Sequence, residues 1–178
     1  MITNYKGATI DVFNLKEEDI CIEDIILALP NICRYGGRIS NHYSVAQHAV
    51  ELVRWLRAND KEDLIKLALL HDGCEAYIGD IIYPIKTKIP IFMELETKIT
   101  NLIYKKFNVD TTLFDYFDYY DKNIVVNEMK AVGLHKSDSH LISHLEELEG
   151  LIIKPWSAEK ARSEFVLELF NTYSINLL

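Results

Sequence analysis

The sequence predicts an all-α fold. After Lys16, apolar residues recur at helical spacing in one segment after another. Pro30, the Gly36-Gly37 pair, Gly79, Pro84 and Pro90 punctuate those segments, and β-prone pieces are confined to residues 1–15. At 178 residues the chain fits one domain, 1–178, with a sizeable core.

Residues Lys6 to Phe13 suggest a small hairpin or an extended arm. Asp19 is placed to cap a first helix through Ile22, Ile25, Ile26 and Leu29, which Pro30 ends. Arg34-Tyr35-Gly36-Gly37-Arg38 reads as a flexible loop. Ser44 opens a second helix with Val45, Ala49, Val50, Leu52, Val53 and Leu56 on its apolar face. A third is expected from Lys61 to Ala76, then a turn at Gly79 and a loop bracketed by Pro84 and Pro90. Phe92 to Phe107, Asp118 to Leu134 and Ser157 to Tyr173 are the remaining helix candidates. The stretch between Gly133 and Pro155 carries no clear pattern.

Composition narrows the class. About half the chain is apolar (49%) and a quarter charged (26%), as in water-soluble globular proteins. A net charge of −8 argues against binding a nucleic-acid polymer, which wants a basic face. Cys21, Cys33 and Cys74 are odd in number and lack Cys-x-x-Cys spacing, so neither a disulfide framework nor a thiolate zinc site is expected. The start lacks signal-peptide architecture, and no apolar run approaches the ~18 residues that span a bilayer. A reducing cytoplasm without membrane association is the expectation.

His71-Asp72, at the end of the apolar run Leu67 to Leu70, carries the functional signal. A His and an Asp side by side suit a divalent cation of the Mn, Fe, Co, Ni or Zn type. His48 upstream and Asp121 downstream extend the pair to a four-ligand set, with Asp115 and Asp118 as alternatives to Asp121. Taken singly, each has an ordinary structural explanation; the combination is harder to dismiss. A cation held this way would make water more acidic and clamp a phosphoryl oxygen. Glu75, one helical turn after His71, and Asp80 are candidates for proton transfer or for holding a second cation. Arg34, Arg38, Lys86 and Lys88 lie in loops that could meet phosphate. Tyr116, Phe117, Tyr119 and Tyr120 read as packing or a subunit interface, and His135, His140 and His144 as surface histidines.

The words Tyr43-Ser44-Val45-Ala46-Gln47-His48, Ala68-Leu69-Leu70-His71-Asp72, Glu75-Ala76-Tyr77-Ile78-Gly79-Asp80-Ile81 and Pro84-Ile85-Lys86 resemble the HD-domain metal-dependent phosphohydrolases. They are most similar to the small bacterial and phage nucleotide hydrolases in that group. Ile22-Glu23-Asp24-Ile25, Cys33-Arg34-Tyr35-Gly36-Gly37 and Pro155-Trp156 extend the likeness over most of the chain. The resemblance implies a single helical HD domain with metal on His48, His71, Asp72 and Asp121. Asp121 is preferred because Asn127-Glu128 follow it at the family's distance. Zn, Co or Mn is the implied metal, with a second cation such as Mg as an option. Glu75 and Asp80 become the catalytic acids. Arg34 and Lys86 become phosphate contacts, and Ile22 and Pro84 the walls around a base.

The implied activity leans to a dATP triphosphohydrolase of a phage that uses 2-aminoadenine, yielding deoxyadenosine and triphosphate. A 5′-deoxynucleotidase that releases phosphate from monophosphates is the alternative, and a non-catalytic nucleotide-binding module the alternative of another class. A homo-oligomer, in the host cytoplasm if phage-encoded, is also implied. Gly73, where such proteins usually carry Ala or Ser, and His42 depart from the pattern.

Overall fold

A computed structural model describes residues 1–134 and 142–173. The fold is all-α, with one two-stranded sheet: β1 (Ile2–Thr3) pairs antiparallel with β2 (Thr9–Ile10), Ile2 opposite Ile10. The described helices are α1 (Ile22–Ala28), α2 (Val45–Ala58), α3 (Ile65–Leu70), α4 (Glu75–Ile78), α5 (Tyr83–Lys86), α6 (Pro90–Lys106), α7 (Phe114–Val132) and α8 (Ala158–Tyr173). None of them is long and apolar enough to cross a membrane.

The centre of the fold is α2. Val45, Ala46, Ala49, Val50, Leu52, Val53 and Leu56 are buried, and they pack against α3 on one side and α8 on the other. The Ser44 hydroxyl accepts the Gln47 amide at 3.1 Å and starts the helix as expected. α7 lies across α2 and α3, and α1 against α4 and α8. At its end, Gly133 adopts φ 76°, the left-handed turn that closes a helix.

Several boundaries differ from the sequence reading. Asp19 does not cap α1; it sits in the 3-10 turn Glu17–Asp19, and its carboxylate accepts the Lys16 amide at 2.9 Å. The helix expected over Lys61–Ala76 is broken into the turn Glu62–Leu64, α3 and α4, with His71 at the C-cap of α3. The Pro84–Pro90 stretch is partly helical, because both prolines stand in the first turn of a helix, where the missing N–H costs nothing. α7 begins four residues before Asp118, at Phe114. The Arg34–Gly37 segment is a 3-10 turn in which Tyr35 and Gly36 are both left-handed, at φ 61°.

Candidate metal centre

His48 projects from α2, His71 and Asp72 follow the last turn of α3, and Asp121 comes from α7. His48 Nε2 lies 3.1 Å from His71 Nε2 and 3.1 Å from Asp121 Oδ1. His71 Nε2 lies 3.3 Å from Asp121 Oδ1 and 3.2 Å from Asp72 Oδ2, and His48 Nε2 is 3.8 Å from that same Asp72 oxygen. His48, His71 and Asp121 therefore converge, and Asp72 stands beside them, nearest to His71. Helical phase settles the choice among the acids of α7: Asp115 is exposed, Asp118 pairs with Lys122, and Asp121 faces the histidines.

The ring partners decide what this cluster can hold. His48 Nδ1 is 2.5 Å from Glu128 Oε1, and His71 Nδ1 is 2.9 Å from the Ala68 carbonyl. Both partners are acceptors, so each Nδ1 carries the hydrogen and each Nε2 turns a lone pair inward. In that neutral form the two imidazole lone pairs face the Asp121 oxygen, with the Asp72 oxygen beside His71. A cation with bonds of about 2.1 Å sets neighbouring ligand atoms about 3.0–3.4 Å apart, which matches the spacing among His48, His71 and Asp121. His48, His71 and Asp121 place their ligating atoms within 4.8 Å of one another, and the group can hold a metal ion. Phe117 walls the cluster, its ring 5.1 Å from that of His71.

Burial pushes both imidazoles down, but Asp72 and Asp121 hold His71 well above the ordinary histidine value, and Glu128 and Asp121 hold His48 above it against Arg34. Without a metal, a proton therefore stands where a cation would displace it. Burial pushes the Asp72 carboxyl up, but the imidazole of His71 outweighs it and holds the group down at about 2. Burial also opposes ionisation of Asp121, and His71 and His48 overcome it. Glu75 is the opposite case. It is buried, its Oε2 has no hydrogen-bond partner among the described residues, and burial together with Asp72 and Asp80 pushes its carboxyl well up. Asp80 is raised mainly by burial, against the pull of Arg34 and with a contribution from Asp72.

Of the expected phosphate contacts, neither is free. Arg34 donates from Nη1 to Asp72 Oδ2 at 3.3 Å and from Nη2 to Glu128 Oε2 at 3.2 Å, and its buried Nε has no partner among the described residues. Lys86 is bound to Glu96 at 2.8 Å. Ile22 opens α1 and packs on the core, whereas Pro84 is exposed at the start of α5. His42 is tied to the Pro30 carbonyl at 3.0 Å. His144 is exposed; His135 and His140 lie outside the described residues. Of the aromatic run, Phe117 and Tyr120 are buried, and Tyr116 and Tyr119 are half exposed.

Sequence reading noticed Glu128 only for its spacing, seven residues after Asp121 (128 − 121), and gave it no role. In the structure it is fully buried and accepts from His48, Tyr43, Tyr35 and Arg34.

No protein-family model matches the chain. It is 33% identical over 133 residues to the uncharacterized protein YfdR of Escherichia coli (strain K12), covering 75% of this chain and 72% of that protein. The chain belongs to the YfdR family. A second relative is the uncharacterized protein RCAP_rcc00048 of Rhodobacter capsulatus, 35% identical over 114 residues. That match spans 60% of this YfdR-family chain and 58% of the Rhodobacter protein, so it leaves a large part of both unaligned. Neither name carries an activity, and the functional reading rests on the residues themselves.

Proposed function

We propose that this YfdR-family chain is an HD-type metal-dependent phosphohydrolase acting on deoxynucleotides. One observation carries the reading: His48, His71 and Asp121 bring their ligand atoms together with each imidazole Nδ1 already committed elsewhere, and Asp72 stands beside His71. These residues would hold one divalent cation of the Zn, Co or Mn class, which supplies a more acidic water and polarisation of a phosphoryl oxygen. The remaining chemistry falls to the chain's own carboxylates. Hydrolysis breaks the bond between phosphorus and the nucleoside 5′-oxygen; water adds to phosphorus and a proton goes to that oxygen. Glu75, buried and held toward its protonated form, suits the delivery of that proton. Asp80 is the second acid of the same segment. Ile22 and Pro84 are the proposed walls around the base.

With dATP the products are deoxyadenosine and triphosphate, and this is the substrate toward which the motif likeness leans. The 5′-deoxynucleotidase reading breaks the same bond and gains support from the pairing of Arg34 and Lys86. A triphosphate tail needs several cations, and these two would first have to leave Asp72, Glu128 and Glu96.

The test is chromatography of products from metal-loaded protein incubated with a panel of deoxynucleoside mono- and triphosphates. Deoxyadenosine with triphosphate is the expected outcome, with dATP preferred over dGTP and over 2-amino-dATP. Orthophosphate from monophosphates alone installs the nucleotidase instead. Binding without turnover across the panel leaves a non-catalytic nucleotide-binding module and overturns the enzymatic reading.

A further inference from the structure

The carboxylate of Glu128 is saturated. Oε1 accepts from His48 Nδ1 at 2.5 Å and from the Tyr43 hydroxyl at 3.0 Å. Oε2 accepts from the Tyr35 hydroxyl and from Arg34 Nη2 at 3.2 Å. Four donors fill the four lone-pair sites that a carboxylate offers. A fully buried charge with that many directed partners has one orientation open to it.

We propose that Glu128 is the positioning residue of the metal centre: by taking the Nδ1 hydrogen of His48 it fixes the tautomer in which Nε2 faces His71, Asp72 and Asp121. The proposal rests on the metal-centre reading above. The competing tautomer places the hydrogen on Nε2. It would then point at His71 Nε2 and Asp121 Oδ1, each 3.1 Å away, and close the cluster as a hydrogen-bonded knot with no room for a cation. A carboxylate behind the ring removes that option, and outer contacts of this type commonly govern metal affinity.

Glu128 is in turn held by a loop of unusual backbone. Tyr35 is a non-glycine residue at φ 61° and ψ 21°, and Gly36 and Gly37 continue the left-handed path at φ 61° and 71°. Such a conformation is disfavoured for a tyrosine and persists only where the surroundings impose it. Here it brings the side chains of two consecutive residues, Arg34 and Tyr35, onto the same Glu128 oxygen. Arg34 also reaches Asp72, so the one loop braces both the residue behind His48 and a ligand in front of it.

The test uses the full chain, cobalt(II) as the probe, and the variants Glu128→Gln and Tyr35→Phe. Cobalt affinity is read from the visible absorption of the ion. The tautomer of His48 is read by nitrogen-15 NMR of the imidazole rings in metal-free protein. In Glu128→Gln one amide oxygen remains, and Arg34 and Tyr35 compete for it with His48. We expect cobalt binding to weaken by roughly 10–100-fold, and the His48 hydrogen to redistribute toward Nε2. Tyr35→Phe should show both changes in smaller measure. Unaltered affinity and tautomer in both variants overturn the proposal, because loss of packing alone moves neither the tautomer nor the cobalt spectrum. Should Glu128→Gln fail to fold, Tyr35→Phe decides alone, and unaltered affinity and tautomer there overturn it. If the wild-type chain takes up no cobalt, the metal reading fails separately. The tautomer comparison then stands by itself, and an unmoved Nδ1 hydrogen refutes the positioning role.

Discussion

His48 Nε2 and His71 Nε2 face each other at 3.1 Å, although one belongs to the middle of α2 and the other to the end of α3. Two like lone pairs at that distance repel unless something positive lies between them. Asp121 and Asp72 add negative charge to the same point rather than relieving it. The arrangement makes chemical sense as a cradle for a cation, whether a metal ion or a shared proton.

The first prediction separates those two occupants. Protein purified without chelator should carry about one equivalent of transition metal by elemental analysis. Asp72→Ala should lose most of it and stay folded, because Arg34 keeps Glu128 as a partner. Full metal content in that variant would take Asp72 out of the ligand set, and a metal-free wild-type chain would leave the proton as the occupant.

A second prediction concerns Glu75, whose buried Oε2 lacks a partner among the described residues. Such an atom costs stability and is tolerated where function requires it. Glu75→Gln keeps shape and volume but cannot exchange a proton. Turnover should fall by roughly 10²–10⁴-fold with metal content unchanged, as expected for a lost general acid or base. Normal turnover in steady-state assays would transfer the proton step to Asp80.

The third prediction addresses Gly73, which departs from the motif it otherwise resembles. A Cβ built there would lie 3.0 Å from the Leu70 carbonyl oxygen, 3.2 Å from Ile103 Cδ1 and 3.5 Å from Ile25 Cδ1. Space, rather than backbone angle, demands the glycine. Gly73→Ala should destabilise by about 1–3 kcal/mol in urea unfolding. Adding Ile103→Val deletes one of the crowding methyl groups and should recover part of that loss. A fully stable single variant would show that α6 can shift to admit the methyl.

These cases show what was legible in the sequence. Apolar spacing and Ser44 located α2, whose burial follows the predicted face, and the 1–15 segment takes the hairpin, one of the two forms its residues allowed. The break between α3 and α4 was hidden because apolar periodicity runs on through it, while Gly73 answers to Ile103 and Ile25, residues remote in sequence. α5 is hard to see in the sequence because Pro84 suits a loop as well as the start of a helix. The metal-ligand candidates were readable as residue types in order. The roles of Glu128 and Arg34 were not, since each depends on partners from several segments meeting at one point. Lys86 looked free for the same reason: Glu96 is its neighbour only once α5 and α6 pack.

A last prediction tests Glu51, the carboxylate buried on α2. Glu51 accepts a hydrogen bond from Gln47 Nε2 at 3.1 Å, and that same amide donates to the Lys154 carbonyl at 2.8 Å, while Gln47 Oε1 accepts the Trp156 amide at 2.9 Å. Burial raises the Glu51 carboxyl, with Gln47, Arg54 and Lys160 pulling the other way. A carboxyl whose folded pKa lies above its unfolded value favours folding while it is protonated. That contribution is complete below the ordinary glutamate range, near pH 4, and is lost as pH rises through the folded value. Glu51→Gln removes the ionisation and keeps an oxygen for Gln47. The variant should therefore melt higher than wild type at pH 7.5, and the difference should close as pH falls to 4. A variant that melts lower at pH 7.5 would mean that attraction to Arg54 and Lys160 outweighs the burial of the charge.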